Sequence, residues 1–399
     1  MKKKVFKNII ITIFCVGLLL CGLVSCSKEE STDDDRFDYF ASQISNFVEI
    51  SAEDYAHMVA KLPKSYLISD EVVESYIKKQ LFSNKTQLNG GESQIDQPVR
   101  YGDTAYIYYE GFMDGVAFDG GSNMTSLSPY ALSIGSGTFI DGFEDQLIGV
   151  VPNETSKDNR VSVRVTFPEV YAQNPSYAGK DAEFLVYIVR VVQYQVPTLN
   201  DDTIKNILKY TPTEEGATDL EAEYREYVKK NLETANSSGK QNAAINDLLE
   251  QLTQKATFKQ IPESELEYYR KMYVDELNNA MEYYTGLGYS FADLDDFVCQ
   301  YLGLEDGADW GAKIREISTI VIKQHLVCHA IAQIENIELT DQEYEAEIKS
   351  YITQASYSGE TITRDEVIET VGEYTLRESA MYSKVCQFLY DNCTVAYED

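Results

Sequence analysis

Histidine, tryptophan and basic side chains are scarce in this chain. Three histidines and one tryptophan occur in 399 residues, and 34 Lys and Arg stand against 65 Asp and Glu. Each shortage excludes something. The histidines are His57, His325 and His329, so none lies between Val99 and Val192, and no Ser/His/Asp or Cys/His nucleophilic set can be assembled there. No glycine-rich phosphate loop can be defended, and no CxxC or metal-type cysteine spacing occurs. No cofactor is expected, neither ATP nor a metal. A formal net charge of −31 repels nucleic acid and anionic head groups alike, so nucleic acid is not an expected partner.

The first residues are unlike the rest. Lys2, Lys3, Lys4 and Lys7 precede an apolar run from Ile9 to Leu20, and Leu23, Val24, Ser25 and Cys26 follow. The pattern reads as a secretory signal peptide ending in a lipobox, with Cys26 as the lipidated residue and mature N-terminus. The alternative is a single membrane span, but the run is short for the roughly 20 residues that crossing requires. "SKEESTDDDRFD" after Cys26 is too poor in apolar residues to build a core and reads as a solvated acidic tether. Outside the leader, Cys299, Cys328, Cys386 and Cys393 permit disulfides or buried free thiols, with no pairing legible.

Periodicity then divides the chain. "SDEVVESYIKKQLF" reads as a helix capped by Ser69, with Asp70 and Glu71 in its first turn, and "NGGESQ" at 89–94 reads as a linker. From Val99 to Val192 short alternating runs separated by Gly, Pro, Asn and Asp suggest strands; Ala105, Ile107 and Tyr109 share one face, and "AEFLVYIVRV" alternates in the same way. Past Val196 the three- and four-residue spacing is helical, with capping boxes at Thr340–Glu343 and Thr363–Glu366. His325 and His329 lie at i and i+4, which fits either a metal pair or, in so apolar a segment, core-facing residues.

"GDTAYIYYEGFMDGVAFDGG", "YALSIGSGTFIDGFEDQLIGV", "VTFPEVY" and "YAGKDAEFLVYIV" follow one another in the order and spacing of an FKBP-type peptidyl-prolyl isomerase. The resemblance covers nearly all of residues 99–192. It implies a bent antiparallel sheet over one short helix, here Phe139 to Leu147, with substrate proline entering an aromatic pocket between them. Matched position by position, it implies Tyr109 and Phe118 as walls, with the Asp119 carboxylate accepting a hydrogen bond from the Tyr109 hydroxyl. Phe139 and Ile140 fall at the rim, where the Ile140 N–H matches the donor to the substrate carbonyl. Tyr130 lies around the pocket, and Phe143 takes the floor position that is tryptophan in many stand-alone members. Tyr171 completes the set, although a one-residue slip leaves Tyr177 as an alternative. Val186 stands where an aromatic is common. Asp119 before two glycines also fits a plain turn, and the aromatics an ordinary core.

The flanks extend the likeness. "VPTLND", "EYREYVKKNLE", "IPESELEYYRKMYVDEL" and "AIAQIENIELTDQEYEAEI" resemble, in order, the C-terminal domain of trigger factor, and "YLISDEVVESYIKKQL" resembles that family's linker arm. The fold class expected is α+β, a sheet domain followed by an all-α chaperone domain with arms. The organisation expected is a lipoprotein signal peptide (1–25), acidic tether (26–40), N-terminal arm (41–95), isomerase (96–195) and helical chaperone domain (196–399). In the space where the family carries a basic ribosome-docking domain, this sequence has the leader, tether and arm. Ribosome binding is therefore not expected. The expected partners are unfolded or nascent exported polypeptides and, through Cys26, a lipid bilayer on the extracytoplasmic side. The alternatives are a holdase whose isomerase fold only binds substrate, and a structural surface lipoprotein with neither activity.

Overall fold

The computed structural model describes residues 33–169, 171, 173–212, 219–305, 307–357 and 361–398; the leader and Cys26 lie outside the described residues. Along the chain the main helices are α1 (Asp33–Ser42), α2 (Asp70–Ser83), α3 (Leu220–Lys255), α4 (Glu263–Gly286), α5 (Leu294–Leu302), α6 (Trp310–Glu335), α7 (Asp341–Tyr357), α8 (Arg364–Val371) and α9 (Glu373–Asp391). The longer strands are β1 (Val59–Pro63), β2 (Thr104–Met113), β3 (Val116–Ser122), β4 (Tyr130–Ser133), β5 (Val161–Thr166), β6 (Asp181–Val192) and β7 (Thr394–Glu398).

The chain divides into two compact units, 68–235 and the pair of segments up to 67 and from 236 onward. The division departs from the linear order of arm, isomerase and helical domain. Two apolar surfaces explain it. Val73, Ile77 and Leu81 of α2 bury against Ile204, Leu220, Tyr224 and Val228, which draws the arm and the start of α3 to the sheet unit. Residues 33–67 instead complete the core of the helical unit, where Ala60 and Leu62 are buried and β1 pairs in parallel with β7.

In the sheet unit, β6 pairs antiparallel with β2 and with β5, and β2 pairs with β3 and β4. Strand alternation places Ala105 and Ile107 of β2 and Ala182, Phe184, Val186 and Ile188 of β6 in one core. Register shifts after Tyr106 and after Glu110 bend the sheet. The expected linker 89–94 is partly sheet as well: Ser93 and Gln94 pair with the end of β6. Ser69 caps α2 as read from sequence, its side chain accepting the Val72 N–H.

The helix expected over Phe139–Leu147 is absent. Those residues form turns and end in a single 3-10 turn, Asp145–Leu147. Gly142, at φ +80°, leaves the helical region. The carboxylate of Glu144, 6 % exposed, turns back on the preceding segment and accepts its N–H groups, fixing it as a loop.

In the helical unit α6 packs against α4 and α9. By length and composition α6 could span a membrane, but its residues from His325 to Ala332 are buried in the protein core. The segment expected to be a solvated tether through residue 40 is instead docked from α1 onward. Phe37 and Phe40, at i and i+3, bury against His329, and the Arg36 guanidinium lies 4.2 Å from the ring centres of both Tyr268 and Tyr374. Both capping boxes form, at Thr340/Glu343 and Thr363/Glu366. Cys299, Cys328, Cys386 and Cys393 are free, the first three buried.

His325 and His329 meet one carboxylate. His325 Nδ1 lies 3.0 Å and His329 Nε2 2.9 Å from the buried Glu378 of α9, and among the described residues no group of three His, Cys, Asp or Glu is arranged to hold a metal. Burial alone would push the Glu378 carboxyl up, but the two imidazoles outweigh it and hold the group at about 2. A carboxyl depressed below its unfolded value adds stability above the ordinary carboxylate range and loses it as pH falls toward the folded value. Glu378→Ala should therefore cost about 3–5 kcal/mol in denaturant unfolding at neutral pH, by stranding buried polar partners. It should also flatten the loss of stability between pH 4.5 and about 2.

Candidate functional site

One apolar cluster of the sheet unit is built largely from rings. Tyr109 leaves β2 where Asn123 takes the place of a strand partner: Asn123 Oδ1 accepts the Tyr109 N–H at 2.7 Å, and its Nδ2 donates to the Ile107 carbonyl at 3.1 Å. Tyr109 then meets Phe139 edge to face, ring centres 5.3 Å apart, and reaches Phe143 and Phe184 at 6.5 and 6.2 Å. Phe143 is fully buried beneath Phe139 at 4.5 Å. Burial, then the neighbouring Tyr130, pushes the Tyr109 hydroxyl up, so it stays protonated.

Phe118 has its place because two neighbours lack side chains. A Cβ at Gly111 would stand 2.6 Å from the Phe184 ring and 2.7 Å from Phe118, and one at Gly121 would stand 2.7 Å from Phe118. The ring also packs on Phe167, Tyr177 and Phe184 at 5.9, 5.2 and 5.7 Å. The glycine-rich stretch therefore admits an aromatic wall.

The structure brings Tyr109, Phe118, Phe139 and Phe143 into one ring cluster, with Tyr130 on Phe139 at 5.5 Å and Tyr171 on Phe167 at 4.9 Å. Ile140 packs against it. Its N–H, next after the Phe139 N–H that Glu144 accepts, donates no hydrogen bond among the described residues.

Two implied roles change. The Asp119 carboxylate is exposed and accepts nothing from Tyr109; the Asp119 main-chain carbonyl instead accepts the Tyr177 hydroxyl at 3.2 Å. β3 turns the carboxylate outward while Phe118 turns in, as strand alternation requires. Val186 does not line the pocket. It pairs across from Tyr109 and is wholly buried in the core below. Phe184, two residues earlier on the same face, supplies the aromatic and touches Tyr109, Phe118 and Phe143. Tyr177, the alternative to Tyr171, is the one that reaches Phe118. Sequence reasoning missed Phe184, Phe167 and Asn123, although the period of two through β6 was a signal for the first.

Such a site suits a reaction with no nucleophile. Rotation about an X–Pro bond faces roughly 18–20 kcal/mol because the planar amide loses resonance as it twists. A dry ring-walled pocket favours the less polar twisted amide, and an unengaged rim N–H can hold the substrate carbonyl while it turns.

The family model for FKBP-type peptidyl-prolyl cis-trans isomerase matches residues 96–192, and that match together with the sheet and its ring cluster defines the class of this domain. The model of the bacterial trigger factor C-terminus matches residues 222–391. The trigger factor of Ruminiclostridium cellulolyticum is 30% identical over 353 residues, covering 88% of this chain and 74% of its own. That of Caldicellulosiruptor saccharolyticus is 30% identical over 338 residues, covering 84% and 68%. The chain belongs to the trigger factor family.

Gly111→Ala tests the ring packing. The added methyl must displace Phe118 or Phe184, so thermal unfolding should show a loss of about 1–3 kcal/mol, the cost of overpacking, with a changed near-ultraviolet dichroism from the aromatic cluster. Unchanged stability and spectrum would mean that the rings are not so tightly seated.

Proposed function

We propose that this chain is an exported, lipid-anchored folding factor that isomerises X–Pro bonds and holds unfolded polypeptides. The observation that carries the isomerase part is the convergence of Tyr109, Phe118, Phe139, Phe143 and Phe184 beside the unengaged Ile140 N–H. The holding part rests on membership of the trigger factor family and on the end of α4. Leu266, Tyr269, Tyr273 and Leu277 close a core, but Tyr283 and Leu287 beyond them are 65% and 58% exposed. Exposed amphipathic rings suit weak, repackable contact with many sequences, and the strong net charge keeps such a surface soluble. The anchor rests on Lys2 to Leu20 and on the Leu23–Cys26 motif alone.

A second reading, a holdase whose sheet unit binds proline without turning it, is favoured by one departure: the Asp119 carboxylate stands away from the Tyr109 hydroxyl. Proline-limited refolding separates the two. Catalytic amounts of the full chain should accelerate the slow phase, and Phe118→Ala should remove most of that rate while leaving suppression of aggregation of a proline-poor client intact. No acceleration by a folded wild-type chain would leave the holdase.

The anchor is tested by Cys26→Ala, which removes both the lipid acceptor and the cleavage landmark. The variant should lose lipid labelling and accumulate as unprocessed precursor. A lipid-labelled, membrane-bound product from it would overturn the lipobox assignment. Two acyl chains would hold the protein without help from its acidic surface, which anionic lipids repel.

A further inference from the structure

The rim donor at Ile140 belongs to a loop with no regular structure of its own, and the loop is held by a buried carboxylate. Glu144, 6 % exposed, accepts the N–H groups of Gly135 at 2.6 Å, Thr138 at 2.9 Å, and Gly137 and Phe139 at 3.3 Å each, and the Ser136 hydroxyl at 3.0 Å. Every residue from 135 to 139 thus gives a donor to one side chain. Ile140 is the first residue beyond that grip.

The root of the loop is held from elsewhere. Lys85 precedes the stretch that matches the isomerase family model, 96–192. Its ammonium donates to the Gly102 carbonyl at 2.7 Å and to the Ser133 hydroxyl, and Ser133 ends β4 just ahead of the loop. It also lies 4.3 Å and 4.5 Å from the ring centres of Phe82 and Tyr194, so its stem is packed. Burial pulls the ammonium down, while Asp103 and Glu144 favour its charge. Asp103 is itself fixed, accepting the Arg100 and Tyr194 N–H groups at 2.9 and 2.8 Å.

We propose that Glu144 and Lys85 are positioning residues for the isomerase, Glu144 setting the direction of the Ile140 N–H and Lys85 tying the root of that loop to the arm outside the isomerase fold. This rests on the isomerase reading above. Neither side chain reaches a proline in the ring cluster; both act through the loop. The donor engages the carbonyl as it swings out of the amide plane, so a misdirected N–H costs turnover more than binding, which the rings supply.

The test uses the full chain with a fluorogenic X–Pro peptide, and amide hydrogen exchange followed residue by residue. Glu144→Gln should lower kcat about 10-fold or more, the scale of charge-assisted hydrogen bonds, with KM changed less than about 2-fold. Exchange at residues 135–139 should quicken while that of β2 and β6 stays as in the parent. Lys85→Met should give the same pattern at about 3-fold, and it decides the matter if Glu144→Gln does not fold. Unchanged kcat with unchanged loop exchange overturns the proposal; so does a loss of kcat in which exchange quickens equally across the sheet, because that is general destabilisation. If the parent chain has no rate above background, the isomerase reading falls alone. Loop exchange in the two variants then still decides the structural part, quickened exchange at 135–139 supporting the hold of Glu144 and Lys85 on the loop and unaltered exchange ending it.

Discussion

A carboxylate taken out of water costs several kcal/mol unless donors surround it, and both units are organised around carboxylates that meet this condition. In the sheet unit Glu144 collects the loop before it and Asp103 joins the start of β2 to the end of the sheet. In the helical unit Glu378 joins two imidazoles of α6 to α9, and Glu265 accepts from Arg36 and from the Tyr374 hydroxyl. Each charge turns an apolar contact, which many registers satisfy, into a contact that only one register satisfies. For a chain so rich in acids, the few that are buried are the ones that specify geometry.

What was legible in the sequence was local. Alternation named the inward face of β2 and β6, Ser69 named the start of α2, and the two Thr-x-x-Glu boxes named the starts of α7 and α8. What was not legible depends on partners distant in the chain. The apolar pattern from Phe139 to Leu147 fits a helix, but Gly142 at positive φ breaks it, and Glu144 turns back to accept N–H groups of the segment before it. Nothing in the acidic text before residue 42 shows that Arg36, Phe37 and Phe40 have tyrosines and a histidine waiting on α4, α6 and α9. Phe184 and Val186 share a face of β6, and periodicity alone does not say that Phe184 meets Phe118 while Val186 is wholly buried.

Most of the aromatic side chains read from family likeness stand in one ring cluster, which the Asp119 carboxylate and Val186 do not join. That outcome has a physical cause. Ring packing is tolerant of which neighbour supplies an edge, so Tyr177 or Tyr171, Phe184 or another aromatic, can complete the cluster while its apolar character persists. A hydrogen bond such as the one implied between Tyr109 and Asp119 has no such tolerance. It is present or absent, and here the strand turns the acid away.

Turning prolines and holding chains place opposite demands on a surface. Isomerisation needs a small, rigid, dry pocket that releases its substrate after each turn, and in the proposed reading the edge-to-face rings that Gly111 and Gly121 admit would supply the rigidity. Holding an unfolded chain needs many weak contacts that rearrange, and the exposed tyrosines beyond the core of α4 are of that kind. One surface cannot be optimised for both, so a folding factor that does both must divide the tasks between units of the same chain. The division has an advantage of its own. In the proposed reading a client held by one unit would meet the other as an intramolecular event, so a pocket with weak affinity for any single proline would still find it often.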